Sequence, residues 1–139
     1  MTDTTMGKQR NWWSIGLWVA QVVLALMFGM AGVMKLMTPM DALATQMAWV
    51  GESPELLVRF IAVAEIAGAL GMILPAATRI MPFLTPLAGV GFAVIQVLAM
   101  GVHLMRGELG VLPINLVLLA LALFVAWGRW RKAPITPRA

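Results

Sequence analysis

Six polar side chains lie within apolar stretches of this sequence: Gln21, Lys35, Glu65, Gln96, His103 and Asn115. Ionisable groups in such surroundings are costly unless they are paired, and they commonly mark functional sites. Together these groups can accept a hydrogen bond, donate one and carry a proton, and histidine changes charge close to neutral pH. They therefore form the candidate ligand-binding site.

The spacing of these residues directs them to common helix faces. Three sets recur at intervals of seven residues: Gln21, Phe28 and Lys35; Gly89, Gln96 and His103; and Asn115, Ala122 and Arg129. Seven residues are nearly two helical turns, so each set points in one direction. Lipid offers polar groups no partner, and we therefore expect these faces to point into the interior of a helix bundle.

Lys35 and Glu65 are predicted to lie within salt-bridge or one-water distance of each other. Glu65 is near the middle of its apolar stretch, where an ionised carboxylate costs several kcal/mol unless it is paired. The long Lys35 side chain can bend inward to reach it. With His103 and Asn115, the pair is predicted to line a cavity in the outer half of the bundle.

Each polar residue also has a purely structural interpretation. Lys35 can extend to the outer headgroups, and a neutral Glu65 can join two helices by a hydrogen bond. Gln21, Gln96 and Asn115 can serve as interhelical hydrogen-bonding groups alone.

Four apolar stretches must position these residues, at about residues 12–37, 56–74, 82–105 and 111–127. Each is close to the ~20 residues that cross a hydrocarbon core. The chain is 61% hydrophobic and 12% charged, about half the charged fraction of a soluble domain.

The sequence predicts an all-α fold, a single four-transmembrane-helix bundle over residues 1–139 with short tails at 1–11 and 129–139. The first stretch is too long for a signal peptide and is predicted to be a retained helix.

The breaks between the stretches predict loops. Thr38 and Pro39 end the first helix, and residues 75–82 are predicted to form a short turn between two prolines. The apolar residues of the loop at 38–54 predict an amphipathic segment on the outer membrane interface.

The basic residues predict the orientation. Seven fall on one side of four alternating helices: Lys8, Arg10, Arg79, Arg129, Arg131, Lys132 and Arg138. The other side has Lys35, Arg59 and Arg106. Because basic residues favour the cytoplasmic side, both termini are predicted to be cytoplasmic.

Composition excludes several kinds of chemistry. The chain has no cysteine and one histidine, so thiol nucleophiles, iron–sulfur clusters, thiolate metal sites and bis-histidine haem within one protomer are not expected. The net charge of +4 is too small to suggest that the protein binds nucleic acid. Methionines of the first helix with His103 leave a Cu(I) site as one alternative, and ordinary gap-filling as the other.

Two segments resemble the DoxX family of small bacterial membrane proteins: Gly29–Leu36, with sequence GMAGVMKL, and Ala64–Gly71, with sequence AEIAGALG. His103 late in the third helix and Ile114–Leu116 early in the fourth fit the same pattern. The resemblance covers about residues 17–129 and implies a four-helix bundle in the bacterial inner membrane. Lys35, Glu65, His103 and Asn115 match polar positions of the family.

The resemblance also implies an association with redox metabolism, because the family is named after a subunit linked to a thiosulfate:quinone oxidoreductase. The function it favours is a redox-associated subunit that binds a quinone or other lipophilic small molecule in the outer half of the bundle. A partner oxidoreductase or a homo-oligomer is then expected. One alternative is a non-catalytic scaffold that recruits a soluble oxidoreductase, and another is a small transporter or metal handler. Without cysteine, thiol-based sulfur chemistry has no carrier on this chain.

Overall fold

The computed structural model describes residues 4–138, with side chains from Asn11 onward, and no strand occurs in that range. Five helices follow one another: α1 (Thr4–Met37), α2 (Met40–Gln46), α3 (Glu55–Thr78), α4 (Leu84–Met105) and α5 (Leu112–Trp127). Two 3-10 turns lie at Ala48–Glu52 and Leu109–Val111, and a π-helical turn at Gly128–Lys132 continues α5. The side chains of Lys8 and Arg10, two of the predicted cytoplasmic basic residues, lie outside the described part.

Four of these segments are long and apolar enough to cross a membrane: Asn11–Met37, Glu55–Thr78, Leu84–Met105 and Leu109–Lys132. The predicted all-α fold with four spans is confirmed. Helix α1 begins earlier than the predicted span because hydropathy marks only the part of a helix that suits lipid. The polar residues before Asn11 continue the same helix without belonging to the apolar span.

The predicted turn at residues 75–82 is wrong in its first part, because α3 continues through Pro75 to Thr78. Proline has no N–H, so it leaves the carbonyl of Gly71, four residues earlier, without its helical partner. The hydroxyl of Thr85 on α4 donates to that Gly71 carbonyl at 2.9 Å. A neighbouring helix therefore compensates for the proline. Helix α3 ends at Thr78 and is followed by Arg79, which has a left-handed φ of 59°.

The four long helices form a ring in which α1 packs against α3 and α5, and α4 packs against the same two helices. The α1–α3 interface is the most extensive, and the small glycine and alanine side chains of both helices allow their close approach. Gly32 is essential to it, because a Cβ there would lie 2.8 Å from the Ala62 carbonyl oxygen. Gly89 has the same role between α4 and α5, where a Cβ would lie 2.9 Å from the Ala122 carbonyl oxygen.

The two ends of the bundle differ. The loop end carries α2 and the connection between α4 and α5, whereas the terminal end carries Asn11 and Lys132. At the loop end, Leu43 and Val50 are fully buried against Val58 of α3. The segment 38–54 is thus amphipathic, and its apolar side packs on α3.

Candidate functional site

Lys35 and Glu65 form a buried ion pair between α1 and α3. The Lys35 Nζ lies 2.8 Å from Glu65 Oε1, and the two side chains are 11% and 4% exposed. The close approach at Gly32 brings the helices near enough for this contact, since a Cβ at Gly32 would lie only 3.2 Å from the Glu65 Cβ. The pairing predicted from the cost of isolated charges in lipid is confirmed.

Arg59 fixes the end of α1 from which Lys35 projects. Its Nη1 donates to the carbonyls of Lys35 at 2.5 Å and Thr38 at 2.8 Å. The Lys35 carbonyl belongs to the last turn of α1 and has no helical partner, and Thr38 directly follows the helix. Arg59 also contacts Glu55 one turn away, at 3.3 Å. Arg59 therefore positions the backbone of the ion pair.

Four buried polar atoms have no hydrogen-bond partner among the described residues: Glu65 Oε2, Gln96 Oε1, Asn115 Nδ2 and His103 Nδ1. Glu65, Gln96 and Asn115 are 3%, 6% and 8% exposed, so bulk solvent does not satisfy their unpartnered atoms. Most buried polar atoms in native proteins are hydrogen-bonded, and an exception requires an explanation such as a bound molecule.

The helix register brings Glu65, Gln96 and Asn115 to one level. Gly68 packs directly on the ring of Phe92, and Glu65 and Gln96 each lie one turn from that contact towards the loop end. Gly89 of α4 packs against Ala122 of α5. Gln96 and Asn115 each lie seven residues, about 10 Å, from that contact in the same direction. We call Lys35, Glu65, Gln96 and Asn115 the loop-end cluster.

His103 lies about two turns further out than Gln96, at the rim of the loop end. Its side chain is 17% exposed, and Nδ1 lies 3.6 Å from Glu108 Oε1, which is too long for a hydrogen bond. No hydrogen bond or ion pair within the described chain joins it to Lys35 or Glu65. The structure therefore places this candidate residue near the cluster's outer rim, outside its centre.

Arg106 organises that rim. Its Nε donates to Glu108 at 2.6 Å, and its Nη1 contacts Glu52 of the 3-10 turn after α2. The hydrogen bond with Glu108 raises the pKa of Arg106 above its ordinary value, with a further contribution from Glu52. This arginine stays charged and ties the two loop-end connections together.

Gln21 belongs to a different cluster at the terminal end. Its Nε2 donates to the Met72 carbonyl at 2.7 Å, and its Oε1 accepts from Arg129 Nε at 2.7 Å. Arg129 is 4% exposed and also donates to the Ala133 carbonyl at 3.0 Å. We call Gln21, Arg129 and Ser14, whose hydroxyl accepts from Arg129 at 3.3 Å, the terminal-end cluster.

The interior position of Arg129 agrees with the seven-residue spacing, which predicts that Asn115, Ala122 and Arg129 share an interior face of the last helix; all three are buried. Arg129 also counts among the basic residues that predict the orientation. Among the described residues, no carboxylate forms an ion pair with this guanidinium. Neutral oxygens surround it, and its charge also lies 5.7 Å from the ring of Trp18.

A cavity of about 440 Å³ lies at the terminal end, between α1 and α5. It is lined by Trp12, Trp13, Gly16 and Phe124, and it is open to the outside of the bundle. The cavity expected around Lys35, Glu65, His103 and Asn115 stays a prediction. Within residues 4–138, no group of three or more His, Asp or Glu residues is arranged to hold a metal ion.

Comparison with known proteins gives one match. No curated protein and no solved structure matches the chain. The sequence model of the DoxX-like family matches residues 19–125, from within the first span to within the last. The matched region contains the complete loop-end cluster and His103. This chain belongs to the DoxX-like family of membrane proteins.

Proposed function

We propose that this protein is a redox-associated subunit of the bacterial inner membrane that binds a lipophilic small molecule of the quinone class at the loop-end cluster. The observation that carries the proposal is that Glu65, a member of the buried ion pair, has an unpartnered buried polar atom at the same level of the bundle as those of Gln96 and Asn115. Leaving such atoms unpaired costs about 1–3 kcal/mol each. A molecule that pairs with them recovers that energy on binding.

The chemistry of these atoms fits the oxygens of a quinone or quinol ring. Asn115 Nδ2 is a donor, and a ring carbonyl or hydroxyl oxygen accepts from it. Glu65 Oε2 is an acceptor when ionised, and a quinol hydroxyl donates to it. Lys35 has two further N–H groups beyond the one directed at Glu65, which favours a ring oxygen close to the ion pair. The Gln96 amide presents either an oxygen or a nitrogen to the same space.

The surroundings of the cluster favour a lipophilic ligand. The cluster lies inside an apolar span, and Phe28 with Phe92 closes the bundle on its terminal side. Met30, Met34 and Met37 of α1 are exposed to lipid at the loop-end half. Methionine is flexible and adapts to irregular apolar groups, so these side chains suit the tail of such a ligand.

The role proposed for this chain is binding and proton exchange, with electrons passing to or from a partner oxidoreductase. Glu65 takes the proton from a quinol hydroxyl, and Lys35 stabilises the carboxylate when it is ionised. His103 and Glu108 lie between the cluster and the aqueous phase at the loop end. Histidine exchanges protons near neutral pH, which suits a residue on this route.

The proposed orientation has both termini in the cytoplasm. Arg79, Arg131, Lys132 and Arg138 lie at the terminal end, whereas Asp41, Glu52, Glu55 and Glu108 lie at the loop end. Basic residues are enriched on the cytoplasmic side of membrane proteins, which supports this assignment.

The proposal is tested by identifying what co-purifies with the protein. The wild type, Asn115→Leu and Gln96→Leu are purified in mild detergent, extracted with organic solvent and analysed by mass spectrometry for quinones. Gln46→Leu is the matched control, because it makes the same amide-to-leucine change on the exposed side of α2. We expect quinone in the wild type and in the control, and a loss of most of it from both cluster variants. Equal quinone content in all four proteins, or none in the wild type, would leave a scaffold as the better explanation.

A further inference from the structure

We propose that the cavity at the terminal end is a binding site for an anionic phospholipid, with an acyl chain in the cavity and the phosphate against Lys132. This site is separate from the loop-end cluster and does not depend on its function. The cavity, of about 440 Å³, is a shallow groove that is open to the outside of the bundle.

The cavity has a defined apolar wall. The Trp13 ring packs edge-on against Trp127 with centroids 5.5 Å apart, and it lies 6.1 Å from Phe124. Gly16 forms the floor, since a Cβ there would lie 3.9 Å from the tip of Phe124. Any longer side chain at this position would extend into the space. The absence of a side chain at Gly16 therefore keeps the cavity open to lipid.

A cation lies at the edge of this apolar wall. The Lys132 Nζ lies 5.7 Å from the Trp13 ring centroid and 5.6 Å from the Trp127 ring centroid. No carboxylate pairs with Lys132 in the part of the chain whose side chains are described. The two rings hold the ammonium beside the cavity, where its N–H groups can donate to an anionic headgroup.

Charge complementarity selects a lipid with an anionic headgroup. Lys132 is accompanied at this end by Arg79, Arg131 and Arg138, and the described acidic side chains lie in the loop-end half. A tryptophan-rich wall below a cluster of cations matches the depth of the lipid headgroup region, where aromatic rings concentrate. Basic pockets between membrane helices bind anionic headgroups by the same attraction. The apolar wall favours a lipid phosphate over a free phosphate ion, which has no acyl chain to place there.

Quenching of tryptophan fluorescence by lipids with brominated acyl chains tests this proposal, because Trp12, Trp13 and Trp127 surround the site. The detergent-solubilised protein is titrated with brominated phosphatidylglycerol or brominated phosphatidylcholine. Lys132→Gln is compared with Arg138→Gln, which removes the same charge from an exposed side chain at the same end. Gly16→Leu fills the cavity, and inorganic phosphate is the soluble competitor.

We expect the wild type and Arg138→Gln to bind phosphatidylglycerol at least about five-fold more tightly than phosphatidylcholine. Lys132→Gln should lose that preference while retaining its affinity for phosphatidylcholine, and Gly16→Leu should bind both lipids more weakly. Inorganic phosphate at millimolar concentration should not displace the lipid. Absence of a headgroup preference in the wild type, equal loss in the two cation variants, or displacement by phosphate would overturn the proposal. Should Gly16→Leu fail to fold, the comparison of the two exposed cation variants decides it.

Discussion

Phe28 and Phe92 stack face to face across the centre of the bundle, with ring centroids 3.9 Å apart and planes 8° from parallel. They come from α1 and α4, which lie diagonally opposite in the ring of helices. Lys35 lies seven residues from Phe28 towards the loop end, and Gln21 lies seven residues towards the terminal end. The aromatic stack therefore separates the loop-end cluster from the terminal-end cluster.

Replacing Glu65 by alanine should destabilise the protein more than replacing both members of its ion pair. The single change leaves the Lys35 ammonium buried without a partner, which costs about 3–5 kcal/mol. The double variant Lys35→Met with Glu65→Ala removes both charges and should cost less. Unfolding by sodium dodecyl sulfate in mixed micelles, followed by circular dichroism, measures each free energy.

The matched control for this pair is Glu55→Ala. Glu55 pairs with Arg59 on the surface, and its side chain is 65% exposed. The Glu55→Ala change should lower the free energy of unfolding by less than about 1 kcal/mol. A double variant as unstable as the sum of its two single variants would show that Lys35 and Glu65 do not interact energetically.

A methyl group at Gly32 should disrupt the α1–α3 interface. The added Cβ would lie 2.8 Å from both the Ala62 carbonyl oxygen and Ile66 Cγ1, so the helices must separate. We expect Gly32→Ala to lower the free energy of unfolding by about 1–3 kcal/mol. Gly91→Ala is the control, because nothing lies within 4 Å of its added Cβ and alanine is the better helix former. Equal stability of the two variants in the same unfolding assay would contradict the close approach at Gly32.

Removing the buried guanidinium should destabilise the terminal end. Arg129→Leu leaves Gln21 Oε1 and the Ala133 carbonyl without their donor, and we expect a cost of about 2–4 kcal/mol. Arg131→Leu, at an exposed position, should change stability by less than about 0.5 kcal/mol. Comparable effects of the two arginine changes would place Arg129 at the surface.

Because the aromatic stack separates the clusters, the effects of Arg129→Leu and Glu65→Ala on the free energy of unfolding should add to within about 0.5 kcal/mol.

The proposed orientation is tested with introduced cysteines, since the chain has none of its own. Gln46→Cys lies on α2 at the loop end, and Thr136→Cys lies at the terminal end; both positions are exposed. A membrane-impermeant maleimide added to intact spheroplasts should label the Gln46→Cys variant and leave the Thr136→Cys variant unlabelled. Labelling of the Thr136→Cys variant should require disruption of the membrane. The reverse pattern would place both termini outside the cytoplasm.

The sequence predicts most of the architecture because hydrocarbon imposes severe constraints. Each span needs about 20 apolar residues, and isolated charges within it are expensive, so the four helices and the Lys35–Glu65 contact follow from composition and spacing. The contribution of Thr85 to the Pro75 region does not follow, because it depends on a contact between α3 and α4. Local rules place a turn at that proline, and only the packed structure shows how the helix continues.

The hydrogen-bond partners of the other polar residues in the bundle were beyond sequence reasoning. The seven-residue spacing correctly assigned Gln96, Asn115 and Gln21 to the interior, where each is at most 8% exposed. It did not show that Arg129 donates a hydrogen bond to Gln21. That contact depends on how the first and last helices pack, which spacing within one helix does not give.

The most direct test of the proposed function is a binding titration of a short-tailed quinol into the protein reconstituted in lipid nanodiscs. The change is Asn115→Leu, with Gln46→Leu as the control. The variant loses one donor to the ring oxygen, so its affinity should fall about ten-fold, equivalent to about 1.4 kcal/mol, whereas the control should match the wild type. Saturable quinol binding that weakens in this way would support the loop-end cluster as the site. Identical affinities for the wild type and Asn115→Leu, or no saturable binding to the wild type, would contradict it.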